Sequence, residues 1–320
     1  MKKLLKASAW ALAMSLVLFG CANNTKDSIT APKVDAIDTS TIKPAEVNPN
    51  AKPISNETEL KEVANSVVNS VVTAFKVEGP LVTDLKALVM GPDCDFYKEV
   101  VKPFEGKEAE DTYEIPLDLA NKTYKSPSEY ATIKFTTGKL DYKYSREDSG
   151  KTDVNINGNV DANALLDIDK AEPTCMVKKA AANVKAIAKD VKFHLPESTS
   201  EEKGTASGAA AASVAASAFF DNGTYAGFAN VTASLAIPDA NALVAKIEEI
   251  MPNLETIFTR NPEPTMDDIA DICALYDKLP ISLNVKVTIT DVNNKNEFVV
   301  ADVNSCSKLF EASKDYIPAN

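Results

Sequence analysis

The apolar residues of this chain change period along its length, and that change limits the fold more than any other feature. Leu60, Val63, Val67, Val68, Val71, Val72 and Phe75 recur at steps of three and four, which lines one side of an α-helix. Residues 130–135 and 140–144 alternate instead, on either side of Thr136-Thr137-Gly138-Lys139, and residues 153–160 alternate again. After Pro238 the longer period returns at Leu243, Val244, Ile247, Ile250, Met251, Leu254, Ile257 and Phe258, with a kink predicted at Pro252. A chain that carries both periods in separate blocks must build helices and strands from different stretches.

The punctuation refines this. Asn56 with Glu59 makes a capping-box-like helix start, and Gly79-Pro80 stops that helix. Residues 82–89 and 95–102 read as shorter helices, and residues 171–192, rich in Ala and Lys, as another. Asp221-Asn222-Gly223 predicts a hairpin turn between residues 214–220 and 224–237. Thr265 with Asp268 starts a helix that carries Ile269, Ile272, Cys273 and Tyr276. Residues 281–292 and 297–303 form a hairpin about residues 293–296, and a short helix follows Cys306. Strands joined by short turns pair antiparallel. The expected fold class is therefore α+β, an antiparallel β-sheet built from hairpins with amphipathic helices packed mainly on one face.

The N-terminus is of another kind. Lys2, Lys3 and Lys6 precede an apolar run from Ala7 to Phe19, followed by Gly20 and Cys21. This is the three-part plan of a secretory signal, and its apolar part is short of the roughly 20 residues a membrane span needs. Leu18-Phe19-Gly20-Cys21 resembles the lipobox of bacterial lipoproteins. The resemblance implies cleavage before Cys21 and a diacylglyceryl thioether on its sulfur, hence a membrane as partner through the anchor. Ala22, where inner-membrane lipoproteins carry Asp, implies sorting to the outer membrane. Residues 21–55 hold Asn, Thr, Ser, Asp, Lys and Pro with few large apolar side chains, which predicts a flexible tether averaging about 30 Å in span. The globular part is then 56–320, with a subdivision near 200–238.

An exported chain with four further cysteines, Cys94, Cys175, Cys273 and Cys306, reads as two disulfides among three connectivities. The favoured pairs are Cys94 with Cys175 and Cys273 with Cys306. Cys94 to Tyr97 and Cys273 to Tyr276 share C-x-x-Y, an echo that points to two related halves.

Charge and motifs restrict function. The chain has 34 basic and 46 acidic residues; the leader removes three lysines and no acid, leaving 31 against 46 and a formal charge of −15. Such a body is repelled by phosphate backbones, which excludes nucleic acid as a partner. Asp153, Asn155, Asn157 and Asp161 follow calcium-loop spacing with Gly158 at the sixth position, but the closing carboxylate position is Ala164. The competing reading is a strand with Val154, Ile156 and Val160 inward and the Asp/Asn ladder outward. His194 is the only histidine, and without a second imidazole or a reactive thiol it reads as structural. The Gly/Ala/Ser run 204–218 fits a tightly packed element or the wall of an apolar cavity. No cofactor motif is present. The expected function is non-enzymatic binding or structural work by a membrane-anchored envelope lipoprotein. The alternative is a carrier of lipid or another apolar ligand, and a carboxylate-based hydrolase stands third.

Overall fold

The computed structural model describes residues 30–314 apart from 45, 77, 108–109, 197–203, 261–264 and 293–295, and apart from the side chains of 255 and 258–260. Cys21 and the leader lie outside the described residues. The two periods are realised as one antiparallel sheet and a set of helices, an α+β fold. Strands β1 (Thr112–Asp118), β2 (Thr123–Lys125), β3 (Ala131–Arg146), β4 (Thr152–Asp167), β5 (Val177–Leu195), β6 (Thr205–Asp221), β7 (Ala226–Ile237), β8 (Ser282–Asp291) and β9 (Glu297–Val303) form a nine-stranded sheet. Its order is β1-β3-β4-β5-β6-β7-β8-β9, with β2 also paired to β3. β6 pairs with β5 on one side and β7 on the other, so residues 205–237 belong to the same sheet as their neighbours.

Two stretches differ from their expected structure. The turn expected at 136–139 is a bulge between Phe135 and Thr137 inside a single 16-residue strand, because β4 pairs along both of its halves. Most of the helix expected over 171–192 belongs to β5, paired along its length on one side to β4 and on the other to β6. Alanine favours helix when a segment stands alone, but two flanking ladders outweigh that preference. Only Ile168–Ala171 makes a helical turn there.

The helices are α1 (Glu57–Ala74), α2 (Pro80–Met90), α3 (Ala240–Arg260), α4 (Met266–Tyr276) and α5 (Cys306–Lys314). Asn56 Oδ1 accepts the Glu59 N–H at 3.0 Å and starts α1, and Thr265 and Asp268 form a reciprocal capping box on α4. Alternation along β6 sorts the packing. Its even positions meet helices: Phe220 packs with Leu60, Val63 and Val67 of α1, and Ala210 with Leu243, Ile250 and Leu254 of α3. Its odd positions meet the N-terminal segment: Phe219 packs with Ile42 and Ala51, and Ala211 with Ala31.

That N-terminal segment corrects the expected tether. Residues 30–55 form an arm laid across the second face of the sheet. Ile42 and Ile54 are buried, Lys185 Nζ binds Asp35 Oδ2 at 2.9 Å, and the Lys52 N–H donates to the Thr224 carbonyl at 2.7 Å. The arm then rounds the end of the sheet, where the Ile54 N–H donates to Asp291 Oδ2 at 2.7 Å, and enters α1 on the helix side. Asp291 is 1% exposed. Asp291→Ala is expected to lower the unfolding free energy by about 1.5–3 kcal/mol, the range for a buried hydrogen bond to a charged acceptor. Urea denaturation reads this as a fall in midpoint; an unmoved midpoint would mean that the arm is not fastened there.

Cys273 and Cys306 form a disulfide that ties α4 to α5, with Cα atoms 4.9 Å apart. Asp277 reinforces the junction by accepting the Cys306 and Ser307 N–H groups at 2.7 and 3.1 Å. The expected Cys94–Cys175 bridge is not formed. Cys175 is buried under α1 with its sulfur 2.8 Å from Ser70 Oγ, while Cys94 lies half-buried in the loop after α2.

Candidate functional site

The arm covers only part of its face. Toward the far ends of β3, β4, β5 and β6 no described residue of the arm lies over the same face, which holds a cleft of about 590 Å³. Two cross-strand rows build its floor. Ser145, Asp153, His194 and Thr205 stand directly opposite one another on β3, β4, β5 and β6. One step along, Glu114, Lys143, Asn155, Lys192 and Ser207 make the second row across β1, β3, β4, β5 and β6. Side chains on one pleated face, opposite one another across a ladder, stand about 5 Å apart at their Cβ atoms.

Local hydrogen bonds orient these groups. His194 Nδ1 lies 2.7 Å from Asp153 Oδ1, which leaves Nε2 as the ring nitrogen not taken by that carboxylate. Lys143 Nζ donates to Glu114 Oε1 at 2.7 Å, and that hydrogen bond together with the glutamate's charge holds the ammonium above its usual range. Both carboxylates among the described residues of the cleft therefore already face a basic partner. Asn155 is set by a relay that starts from the backbone. The Asp190 N–H can only donate, and it donates to Asn157 Oδ1 at 2.6 Å. Asn157 must then turn its NH₂ toward Asn155, whose Oδ1 accepts at 3.0 Å. Asn155 is left presenting donors.

The relay depends on an irregularity. β5 bulges between Lys189 and Lys192, with Asp190 at φ 50°, opposite Gly208 at φ 88°. A Cβ on Gly208 would collide with the Asp190 carbonyl, so the close approach that seats the bulge needs glycine.

A second feature lies on the helix side. Ala64, Val67 and Val68 of α1, Ala229, Val287, Ile289, Val300 and Ala301 of the sheet, and Leu309 and Ala312 of α5 line an apolar groove of about 200 Å³. Beside it, Val68, Val71, Val72 and Phe75 form a stripe on α1 that is 36–66% exposed. The sequence placed all of these on one side of the helix; the structure buries Leu60, Val63 and Val67 and leaves the stripe partly exposed.

No protein-family model, curated protein or solved structure matches the chain.

The structure scatters the calcium candidates. Asp153, Asn155, Asn157 and Asp161 lie along one side of the extended strand β4 instead of curling round a point, as the strand reading expects. Asp153 engages His194, Asn155 and Asn157 engage each other, and Asp161 lies 3.4 Å from Lys185 Nζ. A calcium shell needs six to eight oxygens converging within about 2.6 Å of one centre, which alternate residues of a straight strand do not supply. His194 joins Asp153 in the cleft. Sequence reasoning missed Lys143, Lys192, Thr205 and Ser207. Lys192 was hidden inside the stretch expected to be helical; the alternation of Val191 and Phe193 with Lys192 and His194 was the available signal.

Proposed function

We propose that the protein is a membrane-anchored envelope lipoprotein whose folded part does binding work. The observation that carries the binding role is the exposed apolar stripe on α1, which runs at Val68 into the groove against β7, β8, β9 and α5. A contiguous apolar surface left open marks an interaction site in soluble domains. The anchor rests on the lipobox resemblance at Cys21, and the packed arm changes what that anchor means. Nine residue steps separate Cys21 from Thr30, the first described residue. Their full extension is about 30 Å, so the body would sit against the bilayer, with less reach than a 35-residue tether gives. No helix among the described residues is long and apolar enough to cross a membrane.

The groove's lining, apolar apart from Ser313, favours a second reading, a carrier of an apolar ligand. Its volume of about 200 Å³ lies below the roughly 300 Å³ of ordinary ligand pockets and suits part of an acyl chain. One experiment separates the readings. A photoreactive residue placed at Val72 and activated in host cells is expected to give an adduct that the same residue at Lys61 does not. A protein adduct supports the partner-binding role and a lipid adduct the carrier; no adduct overturns both. Replacing Val72 and Phe75 together by Asp, with the photoreactive residue moved to Val71, should remove the adduct. Unfolding free energy should stay within about 0.5 kcal/mol for each such surface change.

A further inference from the structure

We infer that the arm-face cleft is a receptor for a small anionic group, a carboxylate or a phosphate, seated on Lys192 between Asn155 and Ser207. The inference stands apart from the apolar groove and from the anchor. It rests on how the cleft's charges and donors are already committed. Glu114 is taken by Lys143 and Asp153 by His194. Lys192 has no acidic partner among the described residues, although the body around it carries a large excess of negative charge.

Its two direct neighbours across the ladder are neutral hydrogen-bonding groups. On β4, Asn155 is turned by the Asp190–Asn157 relay so that its NH₂ is free to donate. On β6, Ser207 offers a hydroxyl. Thr205, opposite His194, adds a second hydroxyl on the same face. An ammonium flanked by amide and hydroxyl donors matches an oxyanion's need for several charge-assisted hydrogen bonds. These groups stand on three paired strands, so the backbone positions that carry them are fixed before the anion arrives. A cation or a basic peptide would instead meet Lys192 and the outward NH₂ of Asn155 as repulsive or unmatched groups.

The sole histidine makes the test direct, because its ring protons report from the floor of the cleft without ambiguity. The full processed protein, carrying no histidine tag, is titrated at constant pH with inorganic phosphate and, separately, with acetate, each followed by proton NMR. At least one anion is expected to shift the His194 ring signals along a saturable curve, and the tighter of the two identifies the group the site prefers. Lys192→Gln should weaken binding at least tenfold and Lys192→Arg should keep it. Asn155→Asp, which turns a donor into a repelling acceptor, should abolish it. Circular dichroism checks that each variant is folded. No saturable shift with either anion, an equal shift with sodium chloride at matched ionic strength, or unchanged binding by folded Lys192→Gln would overturn the inference.

Discussion

Replacing Cys21 by Ser is expected to move the protein from the membrane fraction to the soluble fraction and to remove the acyl mass from its N-terminus. The size of the effect follows from the chemistry of the anchor. Each buried methylene contributes about 0.8 kcal/mol to membrane affinity, so two or more acyl chains hold a protein far more firmly than one. Nothing else described in the chain substitutes for them. No described helix is apolar enough to span, and the net charge of −15 opposes adsorption to anionic headgroups. Fractionation with mass spectrometry of the N-terminal peptide checks the expectation, and unchanged lipid labelling in the variant would remove the lipoprotein reading. The packed arm sharpens the same experiment. If the body is held within about 30 Å of the bilayer, a linker of some 25 Gly/Ser residues inserted after Asn24 should leave fractionation unchanged while giving an added protease access to the membrane-facing side.

The elements the sequence made legible are those whose signals are local. Asp221-Asn222-Gly223 marks the β6–β7 turn because the backbone there needs residues tolerant of unusual angles, and Gly223 is at φ 82°. Thr265 and Asp268 mark the start of α4 because capping is settled within one turn. What was not legible depends on partners distant in the chain. Residues 177–192 are strand because β4 and β6 lie on both sides of them, and no window of their own sequence contains those neighbours. The arm failed for a related reason. A stretch poor in large apolar residues looks unstructured, but Ile42 and Ala51 hold it against Phe219 and Phe228 of β6 and β7, and Ile54 is buried beside α1. The cleft inherits both failures. The outward ladder of Asp153, Asn155 and Asn157 was readable from alternation, but the lysine, serine and threonine that complete the rows come from β5 and β6, and only the sheet's register brings them together. The same dependence explains His194. A lone imidazole on a linear sequence has no assigned role, and its carboxylate partner lies 41 positions away across one ladder.

The cysteines supply the other large expected effect, and there the structure and the parity argument diverge. Cys273→Ala or Cys306→Ala should cost about 3–4 kcal/mol of unfolding free energy, the chain-entropy value for a bridge closing a loop of this length, with 33 residues of separation. The loss should concentrate where α4 meets α5, since the bridge and the Asp277 cap on Cys306 and Ser307 hold the same junction. Cys94→Ser should change the unfolding free energy by no more than about 0.5 kcal/mol, as expected of a half-exposed group outside any core contact network. Cys175→Ala should fall between these limits, because it removes a buried sulfur in contact with Ser70 but opens no covalent loop. Denaturant titrations of the four single variants without reductant give the ranking. A thiol count on the unfolded, unreduced protein gives an independent check, apart from the acylated Cys21. Two titrating thiols are expected; none would restore the Cys94–Cys175 bridge and would require the loop after α2 to move toward Cys175 beneath α1. Such a bridge would also take from Ser70 its sulfur neighbour and disturb the hydroxyl that accepts the Met176 and Val177 N–H groups. The start of β5 would then lose its attachment to α1, which is a physical reason for the thiol at 175 to remain unpaired.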